Sequence, residues 1–173
     1  MKTLLATLAV MLLLATGCAP SANLITADPE LAQFHSIALA PVTFSTSQAL
    51  ANERAAIANA LRSNLMEQLD RRGYAVAAQT EAPAGARLNV DITYIWDGRL
   101  YVDENQPADR LYPELRLYAK VSLTDLASGK VLFQENIEGH GPIEPVGSPA
   151  PIAQYTAPQR DLARRIGMLF PSR

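Results

Sequence analysis

One cysteine, two histidines and one tryptophan are all that this 173-residue chain holds of those residue types. A single thiol permits no disulfide within a monomer and excludes cysteine-rich frameworks and Cys–His metal clusters. His35 and His140 are the whole supply of imidazole bases. A Ser–His–acid triad would need one of them beside a nucleophile, and no Gly-x-Ser-x-Gly elbow is present. Both histidines therefore read as loop or surface residues. A hydrolase with a dispersed site would need His35 or His140 hydrogen-bonded to a carboxylate in a cleft. Basic residues do not exceed acidic ones (15 against 17), so the basic face that nucleic acid requires is not indicated. No internal repeat is visible. Long apolar runs are also missing: residues 3–15 are too short for a bilayer, which needs about 20 residues.

Acidic residues are absent before Asp28, and Lys2 precedes the apolar run that Cys18 closes, Leu12-Leu13-Leu14-Ala15-Thr16-Gly17-Cys18. A basic start, a brief apolar core and small residues before a cleavage point read as a secretory signal. With the cysteine directly after them, the segment resembles the lipobox of bacterial lipoproteins, whose cysteine sulfur is acylated and becomes the first mature residue. A plain cleaved signal with an incidental cysteine and a transmembrane anchor are the competing readings. The resemblance implies lipidation of Cys18 after removal of residues 1–17. Ala19 stands where inner-membrane retention usually shows Asp, which implies the outer membrane, with the folded part on its periplasmic face. Each buried CH₂ contributes about 0.8 kcal/mol, so the several acyl chains of such processing would make attachment close to permanent.

Residues 18–33 hold Pro20, Ser21, Asn23, Asp28 and Pro29 and read as a lipid-anchored tether. Residues 34–173 read as one periplasmic domain, long enough for a real core. The segment 34–44 predicts a strand apolar on both faces, with Pro41 ending the clean pairing or marking a bulge. Ser45-Thr46-Ser47 offers helix N-caps. Leu50, Ile57, Leu61, Leu65 and Leu69 then predict an amphipathic helix over about 47–72, stopped by Gly73 in a left-handed conformation. A short strand over 74–78 completes a crossover unit, which favours a parallel pair. Strict alternation over 88–97 predicts a half-buried strand with Leu88, Val90, Ile92, Tyr94 and Trp96 inward and Asn89, Asp91, Thr93, Ile95 and Asp97 outward. A strand over 114–126 turns Leu115, Leu117, Ala119, Val121 and Leu123 inward. A hairpin at 125–130, with Gly129 at positive φ, leads into a strand over 130–138. Residues 139–155 predict a proline-rich arm. Thr156 with Gln159 forms a capping box for a closing helix whose stripe is Leu162, Ile166 and Leu169. The expected fold class is α/β (α+β): a mixed four- to five-stranded sheet, order β-α-β-β-β-β-α, with two helices on one face.

Three segments together resemble a group of uncharacterised bacterial outer-membrane lipoproteins defined by a domain of unknown function. They are Asp125-Leu126-Ala127-Ser128-Gly129-Lys130-Val131-Leu132-Phe133, the Leu61…Leu65…Leu69…Gly73-Tyr74 helix end, and Ile166-Gly167-Met168-Leu169-Phe170-Pro171. Phe133 stands where that family often has Trp. The topology is also loosely similar to a lipopolysaccharide-assembly lipoprotein and to transport-auxiliary lipoproteins. The resemblance brings no catalytic residues.

Other chemistry is thin. Asp103, Glu104, Asn105 and Asp109 lack the spacing and glycine of a calcium loop. Of the carboxylates Asp91, Asp97 and Glu114, Asp91 and Asp97 lie on one side of one strand, roughly 20 Å apart at strand rise, too far for a glycosidase carboxylate pair. No metal or cofactor is implied. What remains is a candidate partner surface: Tyr94, Trp96 and Tyr101 near one strand end, with Arg116, Tyr118 and Lys120 on the open sheet face. The expected function is non-enzymatic, with membrane contact through Cys18 and an envelope protein as partner. The alternative is a lipid-handling module with acyl chains between sheet and helices, which a packed core of Leu61, Leu65, Val90, Ile92, Leu117 and Val121 would dismiss. The proline arm could also dock on a partner in polyproline form.

Overall fold

The structure, a computed structural model, describes residues 29–49, 51–77, 85–97, 114–142 and 155–173. A 3₁₀ turn at Pro29–Gln33 leads into strands β1 (Ser36–Leu39) and β2 (Thr43–Phe44). Helix α1 (Ala51–Asp70), strands β3 (Ala75–Ala77), β4 (Ala86–Asp97), β5 (Glu114–Asp125) and β6 (Val131–Pro142), and helix α2 (Thr156–Met168) follow. The six strands form one mixed sheet in the order β3-β1-β4-β5-β6, with β2 also pairing β4. The expected mixed sheet with two helices on one face is therefore the fold.

Proline makes the first strand two. Leu39 pairs Leu88 and Thr43 pairs Asp91, so residues 40–42 carry one residue more than β4 offers opposite them. Pro41 has no N–H to give the ladder, and the chain resumes pairing beyond it. The β1–α1–β3 crossover gives a parallel pair, as expected from strand, helix, short loop and strand. Gly73 ends the turn after α1 at φ +84°, and Gly129 sits in the β5–β6 hairpin at φ +72°. Those backbone angles suit glycine because a Cβ would crowd the carbonyl there.

One core lies between sheet and helices. Ile57, Leu61, Leu65 and Leu69 from α1, Leu162 and Ile166 from α2, and the inward residues of β1, β4 and β5 belong to a single buried cluster. All six side chains named above for a packed core are in it. Two close approaches set the helices down. A Cβ on Gly167 would stand 3.1 Å from that of Gln68, which lets α2 meet α1. A Cβ on Gly139 would stand 2.3 Å from the Pro158 carbonyl oxygen, and one on Gly141 2.5 Å from the Pro158 ring. The pair lets the first turn of α2 lie directly on β6.

Several expectations need correction. The tether drawn to residue 33 ends sooner, because Leu31 is buried in the core. Residues 139–142, expected in the arm, are strand instead, because β6 runs on to Pro142; residues 143–154 lie outside the described residues, as do Cys18, Leu50 and the acidic stretch 103–109. Helix α1 starts at Ala51 rather than 47, since Thr46 is spent on Gln48: its hydroxyl accepts the Gln48 N–H, and the Gln48 side chain accepts the Ile95 N–H at 2.7 Å. The Thr156–Gln159 capping box does not form. Tyr155 occupies the N-cap, its side chain making no capping bond to the helix, and Gln159 is buried.

Candidate interaction face

The face of β4, β5 and β6 turned away from the helices is where the polar candidates gather. Along β5, Glu114, Arg116, Tyr118, Lys120 and Ser122 alternate with the buried row Leu115, Leu117, Ala119, Val121 and Leu123. Strict alternation would have put Tyr94 and Trp96 of β4 on the buried side. The structure reverses them. Ile92 pairs Ala119 and Tyr94 pairs Tyr118, leaving Thr93 as an extra residue. A one-residue bulge exchanges the two faces of everything beyond it. Ile95 becomes core (6 % exposed), and Tyr94 turns outward (43 % exposed). The signal in the sequence was Ile95 itself, the apolar residue standing among the outward set.

The bulge assembles an aromatic and basic patch across β4 and β5. Trp96 lies opposite Arg116, and Tyr94 opposite Tyr118. The Arg116 guanidinium stacks 5.0 Å from the centre of the Trp96 ring, and the Tyr94 and Tyr118 rings are 5.6 Å apart and tilted by 50°. Lys120 is exposed beside them, opposite Asp91. The Asp91 carboxylate accepts the Thr43 hydroxyl at 2.8 Å and also the Ser45 hydroxyl. A groove of about 280 Å³ opens there, lined by Pro41, Thr43, Asn89, Asp91, Lys120 and Ser122 among others. Five of the six candidate partner residues thus share one surface; Tyr101 lies outside the described residues.

Next to the patch stands a charged cluster that the sequence did not single out. Arg116 Nε and Nη2 both donate to one oxygen of Glu114, at 2.9 and 2.8 Å. His140 Nδ1 is 2.9 Å from the other Glu114 oxygen, and its Nε2 is 2.7 Å from Glu138. Burial alone would raise the Glu114 pKa, but the bonds from Arg116 and His140 outweigh it and hold that carboxyl below its ordinary value. The hydrogen bonds to Glu114 and Tyr118 in turn raise that of Arg116.

The two histidines part company. His35 precedes β1, exposed, against the Arg173 side chain. His140 is a strand residue rather than a loop one. Gly139 and Gly141 occupy the helix side, so His140 projects to the open side, and its backbone N–H donates to Asp161 of α2 at 3.0 Å. Asp161 also accepts Arg164 at 2.6 Å and Arg165 at 2.7 Å. Burial raises the Asp161 pKa, and these bonds more than reverse that, so the net direction is down. Although His140 touches two carboxylates, it lies on an open sheet. Ser122 is six residues along β5 from Arg116, the partner of His140, roughly 20 Å at strand rise. That puts the Ser122 hydroxyl beyond hydrogen-bond reach of the His140 imidazole. Among the described residues no group of three or more His, Cys, Asp or Glu side chains is placed to hold a metal ion. Also among them, no helix is long and apolar enough to cross a membrane.

Neither protein-family models nor curated sequences give a match to the chain. Solved structures give loose ones. A PelC dodecamer from Paraburkholderia phytofirmans aligns at TM-score 0.49 and 16% identity, covering 86% of this chain and 95% of that one. A hypothetical protein from Chlamydia trachomatis aligns at 0.48 and 11%, covering 76% and 90%. Lipoprotein GNA1162 from Neisseria meningitidis aligns at 0.44 and 16%, covering 65% and 87%.

Proposed function

We propose that this chain is a non-enzymatic lipoprotein, held by acyl chains on Cys18 to the periplasmic face of the outer membrane, whose open sheet face binds another envelope protein. The observation that carries the binding role is the Thr93 bulge. It turns Tyr94 and Trp96 out of the core to lie beside Tyr118, Arg116 and Lys120. Aromatic residues and arginine are the types enriched where protein interfaces concentrate their binding energy. The anchor reading rests on the Lys2-to-Cys18 segment alone. An anchor would confine the domain to the membrane surface and raise its effective concentration toward a partner there. The lipid-handling alternative loses its support, since the space it needs between sheet and helices is filled by Leu61, Leu65, Val90, Ile92, Leu117 and Val121.

Two measurements test this. A fatty-acid probe fed to cells should label the wild-type chain and not Cys18→Ser. Wild-type protein drawn from detergent-solubilised membranes should bring down an envelope protein that a Tyr118→Asp, Lys120→Glu variant does not. Unlabelled wild-type chain removes the anchor, and equal recovery by both proteins removes the binding face.

A further inference from the structure

The strand registers bring five chain segments to one rim of the sheet. Ser36 pairs Ala75, Ile37 pairs Ala86, Ala86 pairs Asp125, and Thr124 pairs Val131. Beyond that row lie the 3₁₀ turn Pro29–Gln33, the Arg71–Gly73 turn after α1, the 126–130 hairpin turn, and Arg173. Backbone bonds tie them together: Leu126 N–H to the Gly85 carbonyl at 3.1 Å, and Arg173 N–H to the Arg72 carbonyl at 3.2 Å. The tether therefore enters the fold at this rim. Its position is fixed there by the buried Leu31 side chain, with ten residues, 19–28, between Pro29 and Cys18. Ten residues reach at most about 35 Å, which keeps the rim near any surface that holds Cys18.

The side chains at this rim fit such a surface. Leu126 (39 % exposed) and Val131 (53 % exposed) flank the hairpin turn and are two of the four large apolar residues exposed among the described ones. Arg71, Arg87, Lys130 and Arg173 are exposed around them. The nearby acids are partly engaged: Asp125 accepts the Ala127 N–H and the Ser128 hydroxyl of its own turn, and Glu67 pairs with Arg71. Asp70 and Glu30 are the other acids at this rim. Four bases thus stand against four acids, with Arg71 itself paired to Glu67, so the exposed apolar pair rather than net charge distinguishes this rim. Exposed apolar side chains with long basic ones beside them can settle at the headgroup region of a bilayer.

We infer that the 126–131 hairpin is a second, weaker membrane contact: Leu126 and Val131 dip into the headgroup layer of the bilayer and stand the domain upright on it. The open face then runs away from the membrane along β4 and β5, with Trp96 and Arg116 at the far end. The inference rests on the lipid reading of Cys18, and its test separates the two. An acylated Cys18 leaves wild type without a free thiol, so a cysteine placed elsewhere is the only one available for labelling. The full chain, purified from membranes and placed in vesicles of phosphatidylethanolamine and phosphatidylglycerol, is labelled with a fluorescent maleimide at Leu126→Cys or at Ala51→Cys. Ala51 is exposed at the other end of the domain. Lys130→Cys in the same turn replaces Leu126→Cys should that variant misfold. Nitroxide carried on lipid headgroups should quench the hairpin label at least about two-fold more than the Ala51 label, as a segment held in the headgroup layer requires. Equal quenching at both ends overturns the upright placement while leaving the anchor intact. Wild type that takes up the maleimide overturns the anchor and the inference together.

Discussion

Gly139→Ala is the sharpest perturbation the fold offers. The new Cβ would meet the Pro158 carbonyl oxygen at 2.3 Å, the Leu162 Cβ at 2.5 Å and the Leu162 nitrogen at 2.7 Å. Two of these three atoms are helix backbone, so no rotamer change relieves the clash and α2 must lift from β6. Overpacking of this kind costs about 1–3 kcal/mol, and rigid backbone atoms put it near the upper end. Replacing glycine in a strand returns about 0.5–1 kcal/mol of conformational entropy, so the net loss is about 2 kcal/mol. With a urea slope of about 2 kcal/mol/M, the unfolding midpoint should fall by about 1 M. Hydrogen exchange at the His140 amide should quicken as well, because its acceptor Asp161 moves with the helix. Gly129→Ala is the control: nothing lies within 4 Å of its Cβ and only the positive φ resists it, at about 1–2 kcal/mol, with His140 exchange unchanged. A Gly139→Ala midpoint at or above wild type would refute the seating of α2 on β6.

Asp161 accepts three hydrogen bonds in the folded state and its pKa is lowered there. Its contribution is present above the ordinary carboxylate pKa and is lost as pH falls through the folded value. Asp161→Asn should cost about 1–3 kcal/mol at neutral pH and flatten the acid side of the stability profile in chemical unfolding. Glu114 follows the same sign, since its pKa is also lowered, so Glu114→Gln should remove a further part of that acid dependence. Arg116→Ala strips the cation from the Trp96 face. Because Trp96 is the chain's only tryptophan, emission should change with a stability loss of at most about 1 kcal/mol. Leu61→Ala, in a fully buried site, should cost about 2–5 kcal/mol by calorimetry or denaturant titration.

Periodicity made most of the fold legible. The leucine stripe of α1, the Gly73 stop, the hairpin at Gly129 and the alternation of β5 are local patterns, and each reports the face it buries. What stayed hidden depends on pairing. Pro41 announced an interruption, but only the register with β4 shows that β2 resumes on the same neighbour. The Thr93 bulge is set by what β5 offers opposite, so a strand read alone puts Tyr94 and Trp96 on the wrong face. Gly139-His140-Gly141 looks like a loop in a proline-rich stretch. It is a strand whose glycines make room for a helix that comes later in the chain. The Glu114–Arg116–His140–Glu138 cluster is hidden for the same reason, since only the register of β5 with β6 brings its members together.

The binding face can be tested directly in living cells. A photoreactive amino acid replaces Tyr118 on the open face, or Met66, which is exposed on α1 away from it. Illumination should yield a discrete adduct with one envelope protein from position 118 and none from position 66, and Lys120→Glu should weaken the first. Adducts absent from 118, or equal at the two positions, would contradict the assignment of this face as the place where the protein meets its partner.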